Sequence, residues 1–161
     1  MIVRTAIGHD SHRFEHPPSA KPLVLGGVVI PDHAGLEANS DGDVVLHALT
    51  NAISGITGVP VLGDIADQMC LEQGITCSSE YVRRALRDLK QNQVITHVSF
   101  SIECSTPRLS KYLRAMTGSV SGLLHIDPTS VGITVTSGEG LTDCGKGLGI
   151  AVWCILTVME P

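Results

Sequence analysis

The length, composition and charge of the chain exclude several classes of protein. Its 161 residues fit one domain, residues 1–161, built around one core. Aromatic residues make up 3% of the chain and the formal net charge is −5 with 11 Lys plus Arg, so we expect no nucleic-acid-binding surface.

Two strands are expected to precede the first helix. The first runs from Ile2 to Phe14, and the second runs from Leu23 to Ile30, where Pro31 stops it. The pair Gly26-Gly27 inside the second segment indicates a β-bulge or a close approach of another backbone. The N-terminal quarter of the chain is therefore predicted to be β-structure.

The middle of the chain is predicted to be mainly helical. Ser40 to Asp43 match a capping box, with Ser40 as the N-cap and Asp43 reaching back, ahead of a helix from Val44 to Ile56. A loop rich in Gly and Pro, residues 58–76, should lead to a second helix near Ser79 to Gln91.

The second half alternates strands with one helix. Its predicted elements are a strand at Val98–Ile102, a helix that Pro107 opens and that ends at Gly118 or Leu124, and strands at Val131–Thr136 and Gly149–Val158. The last strand is β-branched and continuous, as a doubly covered or interface strand would be. We therefore predict an α+β fold, a mixed, mainly antiparallel β-sheet with helices packed on one face.

The cysteines and the apolar segments predict the cellular location of the protein. Five cysteines, an odd number with no C-x-x-C pair, are typical of reduced intracellular thiols. The N-terminus has no signal-type apolar core, and the apolar run 150–159 is half the ~20 residues needed to span a bilayer. We expect a cytoplasmic protein that does not bind membranes.

Three side chains form a candidate metal site. Asp10 and His12 lie two residues apart on a predicted strand, so both point to the same face. His47 lies on the first helix, where Asp43, four residues earlier, would orient its ring. Two imidazoles and one carboxylate would leave a tetrahedral zinc ion with an open fourth position. Taken alone, these residues are more typical of a polar strand face and of a histidine satisfied at the helix–sheet seam.

Longer motifs connect these residues to a known family. They are Gly8-x-Asp10-x-His12-x-Phe14, Gly26-Gly27-Val28-x-Ile30-Pro31, Ser40-Asp41-Gly42-Asp43 with His47, Leu62-Gly63-Asp64-Ile65 and Gly147-x-Gly149-Ile150-Ala151. In this order and at this spacing they closely resemble the 2-C-methyl-D-erythritol 2,4-cyclodiphosphate synthase family of non-mevalonate isoprenoid biosynthesis. The resemblance covers nearly the whole chain.

The resemblance implies an activity and its metals. Family members close a cytidine-diphosphate (CDP)-linked sugar-alcohol phosphate into a ring and release CMP. By position, Asp10, His12 and His47 would hold zinc, and Glu139 would ligate a second divalent cation, magnesium or manganese. The zinc ligands, Glu139 and Ser137 are the catalytic set that the resemblance implies.

The same resemblance implies a set of substrate contacts. Thr136 and Ser137 would bind phosphates, Asp64 the ribose, and the turn from Cys104 to Leu109 the cytosine. The residues implied to contact substrate are Asn39, Ser40, Asp64, Ala66, Cys104, Pro107, Arg108, Thr136, Ser137 and Lys146.

The chain departs from the family pattern near the sugar-alcohol pocket. Asn39 stands where the family has a histidine, and Asn51 where it has an aspartate. The expected Phe-Pro-Asp-Thr-Asp loop is replaced by residues 66–72, so either Asp67 or Glu72 would have to supply the loop acid.

Assembly is also implied by the resemblance alone. Family members are homotrimers with active sites at subunit boundaries, so residues 104–109, Thr136 and Ser137 would serve the neighbour's zinc site. In some members the trimer channel holds an isoprenoid diphosphate through an arginine and a glutamate. Lys146 and Leu148 replace these two residues here, which leaves an apolar channel ligand as an open question.

Two other functions stay open from the sequence. A zinc-dependent phosphodiesterase could share the metals, with a metal-bound water as nucleophile. A trimer that binds nucleotide or isoprenoid without turnover could explain Asn39, Asn51 and the altered loop.

Overall fold

The computed structural model describes residues 1–161 as a four-stranded sheet, a separate two-stranded hairpin and four α-helices. The strands are β1 (Ile2–Arg13), β2 (Pro22–Leu25), β3 (Val28–Ala34), β4 (Val94–Glu103), β5 (Val131–Thr136) and β6 (Gly149–Glu160). The helices are α1 (Val44–Thr57), α2 (Asp64–Asp67), α3 (Ser78–Leu86) and α4 (Leu113–Leu124). Shorter turns of helix are a π-turn at Gln68–Glu72 and 3₁₀ turns at Ser110–Tyr112, Pro128–Ser130 and Gly138–Gly140.

The central sheet has the order β1-β6-β4-β5. Strand β6 pairs antiparallel with both β1 and β4, whereas β5 pairs parallel with β4 at the edge. The predicted mixed, mainly antiparallel sheet is therefore confirmed.

The helices cover one face of this sheet. In β6 the side chains of Ile150, Val152 and Leu156 are completely buried, while the alternate residues Trp153 and Ile155 are 38% and 46% exposed. Helix α1 packs on β1 and β6, and α4 packs beside β5. Because successive strand residues point to opposite faces, this alternation leaves the other face of β1 and β6 uncovered and apolar.

The prediction of one strand from Leu23 to Ile30 that Pro31 stops is wrong, since β3 continues through Pro31 to Ala34. The segment is instead a hairpin of β2 and β3, with Gly26 and Gly27 in the turn at φ of 58° and 76°. Two consecutive positive φ angles match the hairpin turn whose twist suits the flanking strands. The amides of both glycines donate to the Asp43 carboxylate, at 2.8 and 2.6 Å, which fixes the turn from outside the hairpin.

The N-cap of the first helix is also corrected. Asp43, not Ser40, caps α1, since its carboxylate accepts from the amide of Leu46 at 3.0 Å. The hydroxyl of Ser40 accepts instead from the amide of Gly42 at 3.2 Å. Asp43 is fully buried, and its two carboxylate oxygens accept hydrogen bonds from three backbone amides. It therefore does not orient the His47 ring, contrary to the prediction.

Other elements have bounds that differ from the predicted ones, although they follow one another in the predicted order. The expected loop 58–76 contains α2 and the π-turn, and the second predicted helix is the shorter α3. Pro107 does not open a helix: it lies in a turn whose carbonyls, those of Thr106 and Pro107, are contacted by the thiol of Cys104, and α4 begins at Leu113. None of the helices is long and apolar enough to cross a membrane.

Candidate functional site

A close contact between α1 and β1 creates the site. A Cβ atom on Gly8 would lie 2.0 Å from the carbonyl oxygen of Ala48 and 2.4 Å from the amide of Ala52. Only a residue without a side chain lets the helix backbone approach the strand this far. The contact places His47, the residue before Ala48, above the part of β1 that follows Gly8.

The strand register brings Asp10 and His12 under this helix. Asp10 pairs with Val152 and His12 with Ile150, and both partners have buried side chains on the helix-covered face. Residues directly opposite one another in an antiparallel pair point to the same side. The predicted common face of Asp10 and His12 is therefore confirmed, and it is the face that α1 covers.

The three ligand atoms form a nearly equilateral triangle. His12 Nε2 and His47 Nδ1 each lie 3.0 Å from Asp10 Oδ2 and 3.1 Å from each other. A tetrahedral ion with bonds of about 2.0–2.1 Å separates its ligand atoms by about 3.3 Å, close to the spacing here. Two imidazole nitrogens and one carboxylate oxygen thus fit a divalent ion with a fourth position open toward the cleft.

The charges in this triangle support the ionised form of the carboxylate. Burial by itself raises the pKa of Asp10, but hydrogen bonds with His12 and His47 outweigh it and hold that pKa well below its usual value. The same carboxylate raises the pKa of His12, and burial opposes this increase. Asp10 is thus an anion available to a cation at any ordinary pH.

The triangle lies on the wall of a cleft of about 630 Å³. Six of the sequence-predicted site residues line this cleft: Asp10, His12, His47, Asn39, Ser40 and Ala66. Asp67 also lines it, whereas Glu72 accepts a hydrogen bond from Gln68 on the exposed side of the π-turn. Of the two candidate loop acids, Asp67 is the one that faces the cleft.

Two further residues singled out in the sequence, Asp64 and Asn51, do not line the cleft. Asp64 is exposed at the start of α2, next to Gly63, which does line the cleft. Asn51 donates from its side chain to the carbonyl of His9 at 3.0 Å, so it links α1 to β1.

A second group of predicted residues gathers at the ends of β4 and β5, outside the cleft. The amide of Cys104 donates to the carbonyl of Thr136 at 2.9 Å. Ser137 donates to the carboxylate of Glu139 at 3.1 Å, and Glu139 has a φ of 51°. A non-glycine residue in this strained region costs on the order of 1 kcal/mol and is common at functional sites.

The remaining predicted residues lie near this second group. Pro107 and Arg108 line a separate cavity of about 430 Å³ with Lys111 and Tyr112. Lys146 is exposed in the loop before β6, 3.7 Å from the carboxylate of Asp143. A single chain therefore divides the predicted site residues into two sets, one around the triangle and one outside the cleft.

Two residues that the sequence did not indicate as site residues support His47 from behind. Ser78, the first residue of α3, lies with its hydroxyl 2.9 Å from Nε2 of His47, and Asp41 binds that same hydroxyl. Asp41 was visible within the motif Ser40 to Asp43, but nothing in the local sequence indicates that Ser78, 31 residues beyond His47, packs against the ring.

Comparisons with known proteins agree with this geometry. The sequence model of the YgbB family matches residues 3–159. A relative from Chlamydia felis named 2-C-methyl-D-erythritol 2,4-cyclodiphosphate synthase is 50% identical over 159 residues, 99% of this chain and 90% of its own length. The chain belongs to this family. The resemblance found in the sequence is thereby confirmed.

Solved structures of the family show the same fold. A structure of 2C-methyl-D-erythritol-2,4-cyclodiphosphate synthase with CDP bound is 29% identical with a TM-score of 0.81, over 97% of this chain and all of that one. The bifunctional IspDF from Campylobacter jejuni is 27% identical with a TM-score of 0.88. The match covers 99% of this chain but 43% of that larger protein.

Proposed function

We propose that the protein converts 4-diphosphocytidyl-2-C-methyl-D-erythritol 2-phosphate to 2-C-methyl-D-erythritol 2,4-cyclodiphosphate and releases CMP. It is then a phosphorus–oxygen lyase of non-mevalonate isoprenoid biosynthesis. The observation that carries this proposal is the Asp10, His12 and His47 triangle in the cleft of a chain that is 50% identical to a relative of that name. The one-domain organisation, residues 1–161, is supported by a single core of 31 buried residues drawn from every strand except β1 and from every α-helix.

The donor atoms support zinc at the triangle and a harder cation at Glu139. Two imidazoles with one carboxylate are a set that zinc prefers in catalytic sites. One carboxylate beside phosphates and waters suits magnesium or manganese. When bound, such cations neutralise phosphate charge and hold the attacking and leaving groups in line.

The reaction itself exchanges one phosphorus–oxygen bond for another. An oxygen of the 2-phosphate bonds to the β-phosphorus, and the bond from that phosphorus to the oxygen shared with the α-phosphorus breaks. The electron pair leaves with this oxygen on CMP, so no covalent bond to the protein is needed. The protein has to align two anions that repel each other, which is a problem of positioning and charge.

Named side chains would perform this positioning. The hydroxyl of Ser40 would bind a phosphate, and Asn39 and Ala66 would contact substrate in the cleft. Asp67, rather than Glu72, would bind the sugar-alcohol hydroxyls, since it is the loop acid that faces the cleft. Asp64 at the cleft edge would accept from the ribose hydroxyls.

The second set of residues would serve a neighbouring subunit. Thr136 and Ser137 would contact phosphates, Cys104 and Pro107 the cytosine, and Arg108 and Lys146 would supply cations. None of these side chains lines the cleft of its own chain, which supports a homotrimer with sites between subunits. The uncovered apolar face of β1 and β6 is the surface available for such assembly. We also propose a cytoplasmic location, which five free cysteines favour.

The decisive test combines product analysis with one ligand variant. Phosphorus NMR of the purified protein with its substrate and Mg²⁺ should show the cyclic diphosphate and CMP. His47→Ala should lose stoichiometric zinc and at least 100-fold in kcat, because it removes one of three ligands. His97→Ala changes an exposed histidine on β4 and should leave both intact. An open-chain product would identify a phosphodiesterase, and full activity of His47→Ala would refute the metal site.

A further inference from the structure

The side of the His47 ring that faces away from Asp10 meets a buried hydroxyl. His47 Nε2 lies 2.9 Å from the hydroxyl oxygen of Ser78, whose side chain is completely buried. The hydroxyl of Ser40 is farther from the same nitrogen, at 3.3 Å. Ser78 is therefore the closer hydrogen-bond partner of Nε2.

The proton of the Ser78 hydroxyl is already committed to another group. That hydroxyl donates to Oδ1 of Asp41, and the backbone amide of Ser78 donates to Oδ2 of the same carboxylate at 3.0 Å. A hydroxyl has one proton, so its oxygen can only accept from the ring. His47 must then carry a proton on Nε2, which leaves Nδ1, on the side of Asp10 and the triangle, as the nitrogen that can bind a metal ion.

The carboxylate of Asp41 is itself held in place. Its Oδ1 also accepts from the amide of Asp43 at 3.1 Å, and the amide of Asp41 donates to the carbonyl of Thr76 at 2.8 Å. These bonds join the start of α3 to the loop before α1. The negative charge of Asp41 also lies at the N-terminus of α3, where it interacts favourably with the positive end of the helix dipole.

We propose that Asp41 and Ser78 are positioning residues that fix His47 in the tautomer able to bind a metal ion through Nδ1. The proposal rests on the zinc site of the proposed function and adds a carboxylate–hydroxyl–imidazole chain behind it. Outer-shell hydrogen bonds of this kind orient metal-binding histidines, and their loss typically costs 10–100-fold in metal affinity. The proposal also assigns different roles to the two serines near His47. Ser78 orients the ring, and Ser40 can donate its hydroxyl proton to a phosphate.

The test measures zinc affinity by competition with a chromophoric chelator, without substrate. Ser78→Ala should bind zinc about 10–100-fold more weakly than the unaltered protein. Ser121→Ala is the matched control, because Ser121 is also buried and its hydroxyl donates only to the carbonyl of Gly118 in its own helix. The zinc affinity of this control should stay within about twofold of that of the unaltered protein. Circular dichroism should show that both variants are folded.

A second measurement does not depend on any variant folding. Nitrogen-15 NMR of the metal-free, unaltered protein should show a proton on Nε2 of His47. A ring protonated on Nδ1 and not on Nε2, or equal zinc affinity in Ser78→Ala and the unaltered protein, would overturn the proposal alone. Absence of zinc binding in the unaltered protein would overturn the zinc site and this proposal together.

Discussion

Among single residues, Gly8 contributes to the candidate metal site without offering a ligand atom. Its missing side chain sets the distance between α1 and β1, and this distance determines whether His47 reaches Asp10. The two ligands on the strand could be predicted from their spacing, since a period of two is a local property. The contact of Gly8 with Ala48 could not, because it depends on how two elements pack.

Gly8→Ala should therefore damage both stability and metal binding. The added methyl group meets backbone atoms that cannot rotate away, so α1 has to move from the sheet, at a cost of about 1–3 kcal/mol of unfolding free energy. Zinc affinity should fall at least tenfold as His47 moves with the helix. Chemical denaturation and zinc competition measure the two effects.

Gly122→Ala is the matched control for this substitution. No atom outside the local backbone of α4 lies within 4 Å of a Cβ at Gly122, so alanine there should raise stability by about 0.5–1 kcal/mol and leave zinc affinity unchanged. If Gly8→Ala matched the unaltered protein in both measurements, the close helix–strand contact would not be what sets the site.

At the level of secondary-structure elements, the bounds predicted from the sequence were most accurate where the local residue pattern determines the structure. Strand β5 has the predicted bounds, and α1 begins at the predicted Val44. The hairpin of β2 and β3 was missed because its turn is stabilised by Asp43, 16 or 17 residues away. Tertiary hydrogen bonds of this kind leave no periodic signal, and the same reason explains why Ser78 and Asp41 were overlooked.

The loop that carries Glu139 is another element held by a distant residue. The buried carboxylate of Glu103, at the end of β4, accepts from the hydroxyl of Thr142, which in turn accepts from the amide of Gly145 at 2.9 Å. Gly138 lies so close to this carboxylate that a Cβ there would be 2.2 Å from its oxygen. Glu103 therefore braces both ends of the loop around Glu139.

Glu103→Ala should lower kcat/KM about tenfold while zinc binding at the triangle stays unchanged. The substitution leaves Thr142 without its buried acceptor and removes the support behind Gly138, so Glu139 loses its fixed position. Steady-state kinetics and metal analysis distinguish this loop effect from damage to the zinc site. Glu80→Ala, at an exposed carboxylate on α3, should change neither quantity. Loss of zinc in Glu103→Ala would show that the two sets of residues are not independent.

For the whole molecule, the arrangement of the two residue sets and the apolar sheet face points to assembly. Val3, Ile7 and Ile155 are 60%, 66% and 46% exposed on the face of β1 and β6 that no helix covers. Trp153 lies beside them and contacts His9, with ring centroids 4.9 Å apart. An apolar strip of this kind, continuous across two paired strands, is typical of a protein–protein interface.

Ile155→Asp should dissociate the proposed trimer without unfolding the chain. The aspartate is tolerated in a single subunit, because the position is solvent-exposed there, but it places three charges in the buried centre of an assembly. Sedimentation velocity should show monomers that still bind zinc through Asp10, His12 and His47. Cyclisation should fall at least 100-fold, because Glu139 of one chain would no longer reach the triangle of the next. Val29→Asp, at an exposed position on the hairpin, should remain trimeric and active. An active Ile155→Asp monomer would mean that each chain completes its own site.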